Sequence, residues 1–224
     1  MLKTVSALLF GIAFAAGAAA AEPFELGKHY FAVEPVQPTS TGDKAEVVEV
    51  FSYACPACNS FQSTMHKLQA ALPANAELVF LPASFRPDED WPVFQRAFYT
   101  AQVLGILDKS HDATFDMVWK DDGPLRISDA KTRRPLKPMP SIEDVGKAFE
   151  RFGVKAEDFV ATANSFAINA RMKRADAMLK AYGVDSTPTL VVNGRYRLTA
   201  QSAGGLDQVA PLVNYLIAKD AAGQ

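Results

Sequence analysis

Two cysteines separated by two residues are the part of this chain best suited to chemistry. The stretch FSYACPACNSF at residues 51–61 holds Cys55 and Cys58, the only cysteines among 224 residues. Pro56 and Ala57 lie between them. A pair at this spacing can ligate a metal ion, close a structural disulfide, or exchange disulfides with other thiols.

A metal site and a structural disulfide are the weaker explanations for this pair. A structural zinc ion takes four ligands, commonly in two clustered pairs, whereas the histidines of this chain (His29, His66 and His111) are scattered. A disulfide that closes so short a loop restricts the unfolded chain little, because the benefit grows with loop length. Both remain alternatives to thiol–disulfide exchange, which is the favoured chemistry.

The segments on either side of the pair support exchange. Residues 45–53, AEVVEVFSY, predict a buried strand, and Pro56 suits the first turn of a helix. Apolar residues typical of one helix face recur through 58–72: Phe61, Met65, Leu68 and Leu72. We therefore expect Cys55 at a helix N-terminus, exposed, with its thiolate stabilised by unpaired N–H groups and the helix dipole. Cys58 is expected one turn further along and less exposed, as a resolving thiol.

Composition and the N-terminal residues indicate an exported globular protein. Hydrophobic residues make up 49% of the chain and the net charge is −2, so no basic field points to nucleic acid. Near the N-terminus, Lys3 is followed by an apolar stretch and then by small residues, a pattern that predicts a cleaved signal peptide at 1–21. A retained membrane anchor is the alternative. The mature protein is expected in a disulfide-permissive compartment, the periplasm if the source is Gram-negative.

A second motif lies near the other end of the chain. GVDSTPTLVVNGRYRL at 183–198 predicts two short strands joined by Asn193-Gly194, with Pro188 just before the first strand. An early strand, CPxC and helix together with a late Thr-Pro and hairpin resemble the thioredoxin fold. With a long helical segment between these motifs, the chain resembles DsbA-type thiol:disulfide oxidoreductases over roughly residues 25–218.

The resemblance implies an α/β protein, a thioredoxin fold with an inserted α-helical domain. The first part of the core would span 22–87, the insert 88–182, and the second part of the core 183–224. A Pro-rich, basic stretch at 120–141 is expected to be a solvated loop, with a docking surface for an acidic partner as the alternative. The expected helices of the insert and of the C-terminal end lie within 90–106, 141–153, 155–184 and 206–219.

The resemblance also implies roles for residues around the cysteines. Cys55, Cys58 and Pro188 would be catalytic, while Pro56, Ala57 and Thr187 would contact substrate. A cis Thr187–Pro188 bond would place the Thr187 backbone opposite the cysteines, where an extended substrate segment can pair with it. The best-known members carry Pro-His between their cysteines, so Pro-Ala here predicts a milder oxidant.

Glu49 interrupts the apolar run VVEVF six residues before Cys55. An ionised carboxylate in a buried strand is costly, so this residue is either a buried acid with a function or an exposed strand-end residue. In the resembling family, an acid at this position is thought to move a proton to or from the second cysteine. Gln62 and Phe80 stand where the best-known member has a second acid and a lysine.

The implied activity is donation of a Cys55–Cys58 disulfide to unfolded exported proteins that contain cysteines. A DsbB-like membrane quinone reductase would reoxidise the protein, which is expected to be a monomer that needs no metal, nucleotide or prosthetic group. A reductase or isomerase on the same fold is one alternative. A periplasmic binding protein or chaperone with an incidental disulfide is another.

Overall fold

The structure is a computed structural model that describes residues 22–129, 131–132 and 134–223. The predicted signal peptide at 1–21 lies outside the described residues. Within the described ranges, no helix is both long enough and apolar enough to span a bilayer.

In the described part of the chain, five strands form one sheet in the order β1-β5-β4-β2-β3. β2 runs parallel to β3 and antiparallel to β4, and β4 forms the Asn193-Gly194 hairpin with β5, as predicted. β2 lies between β4 and β3 and is buried after its first residue, which explains its valine-rich sequence. The strands are β1 (Phe31–Ala32), β2 (Ala45–Phe51), β3 (Ala76–Pro82), β4 (Thr189–Val192) and β5 (Tyr196–Leu198).

Five of the described α-helices lie between β3 and β4, where a helical insert was expected. The domain limits given above stay a prediction. The helices are α1 (Pro56–Ala71), α2 (Trp91–Val103), α3 (Leu107–Trp119), α4 (Ile142–Phe149), α5 (Ala156–Ala163), α6 (Phe166–Ala181), α7 (Ala200–Ala203) and α8 (Val209–Ala221). Single 3₁₀ turns occupy Pro87–Glu89, Glu150–Phe152 and Leu206–Gln208.

Local signals explain where several of these helices begin and end. Ser141 caps α4 through a capping box with Asp144, and the chain leaves the following 3₁₀ turn at Gly153 with φ +88°. Ser165 caps α6, which divides the predicted 155–184 segment into two helices. α8 begins at Val209, so Pro211 lies in its first turn, where a missing N–H group is tolerated.

The basic 120–141 stretch is a loop held by a few apolar side chains. Leu125 and Ile127 are buried, whereas Lys131, Arg134 and Lys137 are exposed. The predicted solvated loop is therefore confirmed at Lys131, Arg134 and Lys137, and the apolar anchors were not anticipated.

Two apolar clusters cover the two faces of the sheet. One contains Val48 and Val50 of β2, both cysteines, and residues from α2 to α6. The other contains Val47 of β2 together with the buried faces of α1 and α8. The adjacent residues Val47 and Val48 thus enter different clusters, as the pleat of a strand requires, whereas Phe51 at the end of β2 joins the cluster of Val50. The cysteine pair therefore lies within the apolar cluster that joins the sheet to the inserted helices.

The first described residue lies against the last helix. The Glu22 carboxylate accepts hydrogen bonds from the Tyr215 hydroxyl and from the Lys219 ammonium, the latter at 3.0 Å. The contact joins side chains 197 positions apart in the sequence.

The hairpin turn provides a test of the packing around β4 and β5. Asn193 and Gly194 have φ values of +50° and +60°, as a type I′ turn requires. A Cβ atom at position 194 would lie 2.2 Å from the Gln37 carbonyl oxygen, whereas one at Gly183 (φ +63°) would meet no heavy atom closer than 3.8 Å. We predict that Gly183→Ala costs roughly 1–2 kcal/mol of unfolding free energy through φ alone. Gly194→Ala should cost clearly more.

Urea unfolding of both variants beside the wild type measures this difference. Because the two glycines have nearly equal φ, the excess cost of Gly194→Ala isolates the clash with Gln37. Equal losses would mean that the segment at Gln37 moves aside freely.

Candidate redox site

Cys55 occupies the N-cap position of α1. Its backbone is extended (φ −88°, ψ 117°), and the Cys58 N–H donates to its sulfur at 3.4 Å. Pro56 takes the first helical position, where a missing N–H costs nothing. Both cysteines are thiols in this structure, which is the reduced form of the pair.

The exposure of the two cysteines differs in the predicted direction but not to the predicted degree. Cys58 is 1% exposed and Cys55 is 5% exposed, so the order is confirmed. The expectation of an exposed Cys55 is wrong, because its sulfur is packed against the loop that carries Thr187. Pro56 and Ala57, by contrast, are exposed.

The surroundings of the two sulfurs drive their pKa values apart. The pKa of Cys55 is lowered to about 6, against the effect of burial, first by the Cys58 thiol and then by the nearby Thr187 side chain and the N–H groups of Cys58 and Ala57. Burial, followed by the hydrogen bond and charge of Cys55, raises the pKa of Cys58 far above its ordinary value. At neutral pH the pair is therefore a thiolate at Cys55 and a thiol at Cys58.

The Thr187–Pro188 loop faces this pair from the other side. The Thr187–Pro188 bond is cis, which confirms the prediction. The Cys55 sulfur lies 3.6 Å from the Thr187 carbonyl oxygen, to which it donates only while the thiol is protonated. The structure thus brings four of the predicted site residues together: Cys55, Cys58, Thr187 and Pro188.

Glu49 is a buried acid. It is 4% exposed and is paired in register with Phe80 on β3 and Leu190 on β4, so the exposed strand-end alternative is wrong. Burial, followed by the nearby charges of Asp112 and Cys55, raises the pKa of Glu49 to about 8. Its carboxyl group is therefore mostly protonated at neutral pH.

A cavity of about 600 Å³ opens beside Glu49. Gln62 and Phe80, the residues noted at the positions of a charged pair, both line this cavity, and neither carries a charge. The Gln62 amide donates to the Asn59 backbone and side chain. Asp112 also lines the cavity, and its negative charge contributes to the raised pKa of Glu49.

Sequence reasoning missed the residues of α3 that contact the segment before Cys55. The Tyr53 hydroxyl lies 2.9 Å from His111 Nδ1, and the Trp119 indole N–H donates to the Tyr53 carbonyl at 2.8 Å. These partners are 58 and 66 residues away from Tyr53 in sequence. The only local sequence signal for these contacts was the position of Tyr53, two residues before Cys55.

The three histidines have separate surroundings. His29 accepts a hydrogen bond from the Glu25 N–H, His66 pairs with Asp112 on the surface at 3.0 Å, and His111 lies against Tyr53. Among the described residues, no group of three or more His, Cys, Asp or Glu side chains is placed to hold a metal ion.

Comparison with known proteins gives one consistent result. A family model described as the DSBA-like thioredoxin domain matches residues 46–216. The thiol:disulfide interchange protein DsbA of Pseudomonas aeruginosa is 35% identical over 216 residues, which cover 96% of this chain and 92% of that protein.

Solved structures agree with the sequence comparison. A crystal structure of Pseudomonas aeruginosa DsbA matches with a TM-score of 0.76 and 34% identity, covering 91% of this chain and 97% of that one. DsbA from Xylella fastidiosa matches with a TM-score of 0.74 and 28% identity, covering 86% and 95%. The predicted α/β class, a thioredoxin fold with an inserted helical region, is confirmed. The chain belongs to the DSBA-like thioredoxin family.

Proposed function

We propose that this protein is a thiol:disulfide oxidoreductase that donates a Cys55–Cys58 disulfide to exported proteins with cysteines. The observation that carries the proposal is the N-cap position of Cys55, where hydrogen bonds lower its pKa to about 6. A stabilised thiolate is a good leaving group, so the reduced form is favoured and the disulfide is oxidising. The relatives named thiol:disulfide interchange protein support the same activity.

The reaction transfers one disulfide to the substrate. A substrate thiolate attacks the Cys55 sulfur, the Cys55–Cys58 bond breaks, and its electron pair leaves with Cys58. A second substrate thiolate then attacks the substrate sulfur of the mixed disulfide and expels Cys55 as a thiolate. Two substrate thiolates become a disulfide, and the cysteine pair is reduced by two electrons.

Glu49 supplies the proton that Cys58 needs in this proposal. Cys58 leaves as a thiolate but holds its proton strongly, because burial and Cys55 raise its pKa. Glu49 is buried, is protonated at neutral pH and interacts electrostatically with Cys55. The carboxyl group can therefore give up a proton during reduction of the pair and regain it during reoxidation.

Substrate would bind between the exposed first turn of α1 and the loop at Pro188. Pro56 and Ala57 are exposed beside the cysteines, and the Thr187 backbone faces Cys55. An extended segment can pair with such a backbone by strand addition, with little dependence on its side chains. This suits substrates that are unfolded and varied in sequence.

The remaining parts of the proposal concern location and partners. Cleavage of the 1–21 signal peptide would release the protein into the periplasm as a monomer. A DsbB-like membrane quinone reductase would accept the two electrons. A reductase or isomerase role is not favoured, because a pKa near 6 for Cys55 stabilises the reduced pair and so favours oxidation of substrates.

The activity can be tested with the purified, oxidised mature protein and a reduced, unfolded substrate that contains two cysteines. We expect one substrate disulfide for each cysteine pair reduced. Cys55→Ser and Cys58→Ser should both abolish transfer, because neither variant can form the Cys55–Cys58 disulfide that is donated. Given the oxidised substrate instead, Cys58→Ser should form a mixed disulfide, because its Cys55 thiolate attacks the substrate disulfide and releases one substrate thiolate. The proposal would be contradicted if Cys55→Ser still oxidised the substrate. It would also be contradicted if the only activity of the protein were to suppress aggregation and reduction of its cysteine pair left that activity unchanged.

The residue between the cysteines provides a second test. Ala57 is exposed at the first turn of α1, so a histidine there can add a cation or a hydrogen-bond donor near the thiolate. We predict that Ala57→His lowers the Cys55 pKa below about 6 and makes the disulfide more oxidising. Thiolate absorbance against pH and equilibration with glutathione measure both quantities. Ala57→Gln is the neutral control, and a raised or unchanged pKa in Ala57→His would refute the prediction.

The protonation of Glu49 predicts how stability depends on pH. Its pKa rises from 4.5 in the unfolded chain to about 8 in the folded protein, so unfolding releases a proton between these pH values. Wild-type stability should therefore fall as pH rises from 4.5 to 8, by about 1.4 kcal/mol for each pKa unit of the shift. Glu49→Gln should remove this loss and gain stability over the wild type towards pH 8.

Urea unfolding at several pH values tests this slope. Glu77→Gln on β3 is the control, since Glu77 lines the same cavity but is exposed. It should keep the wild-type slope. If Glu49→Gln also keeps that slope, Glu49 is ionised in the folded protein and cannot be the proton donor.

A further inference from the structure

Tyr53 joins the redox segment to the inserted helices through two polar contacts. Its hydroxyl meets His111 Nδ1 at 2.9 Å, and its carbonyl accepts the Trp119 indole N–H at 2.8 Å. Both partners lie on α3, two turns apart on the helix. One residue is thus held at its side chain and at its backbone by the same helix.

The surroundings of Tyr53 leave it little freedom. It is 2% exposed, and its ring packs edge-on against Phe51 and Phe115, with centroids 5.1 and 5.0 Å away. The His111 ring stacks on Phe80 at 4.2 Å. Burial lowers the pKa of His111 to about 4, so its imidazole is neutral at physiological pH and stays within hydrogen-bonding reach of the phenol.

The backbone that follows Tyr53 is a tight turn that ends at Cys55. The Cys55 N–H donates to the Ser52 carbonyl at 3.1 Å, and the Ala54 N–H donates to the Ser52 hydroxyl at 3.2 Å. The Cys55 sulfur must then lie within reach of the Cys58 N–H, at 3.4 Å. Hydrogen bonds to a thiolate weaken steeply when distance or angle degrades. A small displacement of Tyr53 would therefore shift the turn at 52–55 and weaken the hydrogen bonds to the Cys55 sulfur.

We propose that His111 and Trp119 are positioning residues for Cys55: by holding Tyr53, they fix the turn at 52–55 and thereby set the stability of the Cys55 thiolate. The inserted helices would then tune the redox pair as well as cover it. The assignment depends on the proposed redox function of Cys55. It predicts that loss of either hydrogen bond to Tyr53 changes the pKa and the redox equilibrium of Cys55, although neither His111 nor Trp119 is hydrogen-bonded to the Cys55 sulfur.

The test uses substitutions that keep ring packing and remove one hydrogen bond. Tyr53→Phe removes the contact with His111, and Trp119→Phe removes the donor to the Tyr53 carbonyl. In each we expect the Cys55 pKa to rise by roughly half a unit to one unit, a threefold to tenfold change in thiolate stability. The equilibrium with glutathione should become less oxidising by a similar factor.

Two matched controls lie on α2. Tyr99→Phe removes a buried hydroxyl, and Trp91→Phe shortens a buried indole; neither residue is hydrogen-bonded to Tyr53. A merely structural role for His111 and Trp119 would lower the melting temperature and leave the Cys55 pKa unchanged. His111→Asn, which keeps a polar atom near the Nδ1 position, should stay closer to the wild-type pKa than His111→Phe.

Thiolate absorbance against pH gives the deciding values. An unchanged Cys55 pKa in Tyr53→Phe and Trp119→Phe, or an equal shift in the α2 controls, would overturn the assignment. Failure of the proposed function would be seen separately, as a wild-type protein that does not oxidise the unfolded substrate whatever its Cys55 pKa.

Discussion

The hydrogen bonds between the first N–H groups of α1 and the Cys55 sulfur are the interaction on which the redox site depends. A helix N-terminus offers unpaired donors, and a sulfur at the N-cap can accept from them. The strand β2 determines where that helix begins, because it is buried on both faces and cannot slide. The loop at Pro188 then packs over the sulfur from the opposite side.

Burial disfavours the ionised form of all three titratable groups nearest this interaction, but it determines the outcome at only two of them. It would disfavour the Cys55 thiolate, but several donors outweigh it, so that the group ionises near pH 6. At Cys58 the hydrogen bonds from Ser52 and Thr187 do not offset burial, and burial also dominates at Glu49, so each group keeps its proton at neutral pH. Of these three groups, Cys55 is thus the one that is negatively charged at neutral pH, and the other two hold protons that the reaction can use.

Signals close together in the sequence predicted much of this site. The N-cap cysteine, the cis proline, the Asn-Gly hairpin and the buried Glu49 each follow from a few adjacent residues and their expected element, or from the family resemblance those residues carry. β3 and α3 were not assigned, since their patterns were weak. The contacts of Tyr53 with His111 and Trp119 span 58 and 66 residues, and the low exposure of Cys55 follows from a loop 132 residues away. Tertiary packing alone determines such contacts.

The contact of Glu22 with α8 places the first described residue beside the last described helix. Glu22 and Lys219 are bonded at 3.0 Å, so a linker of a few residues would bridge the two ends. New termini opened in the exposed basic loop between α3 and α4 would leave the cysteine pair, its cis-proline loop and the sheet continuous. Circular permutation at that loop would therefore change the order of the elements along the chain without changing the fold. The sheet, the redox helix and the inserted helices would pack in the same arrangement although they are synthesised in a different order.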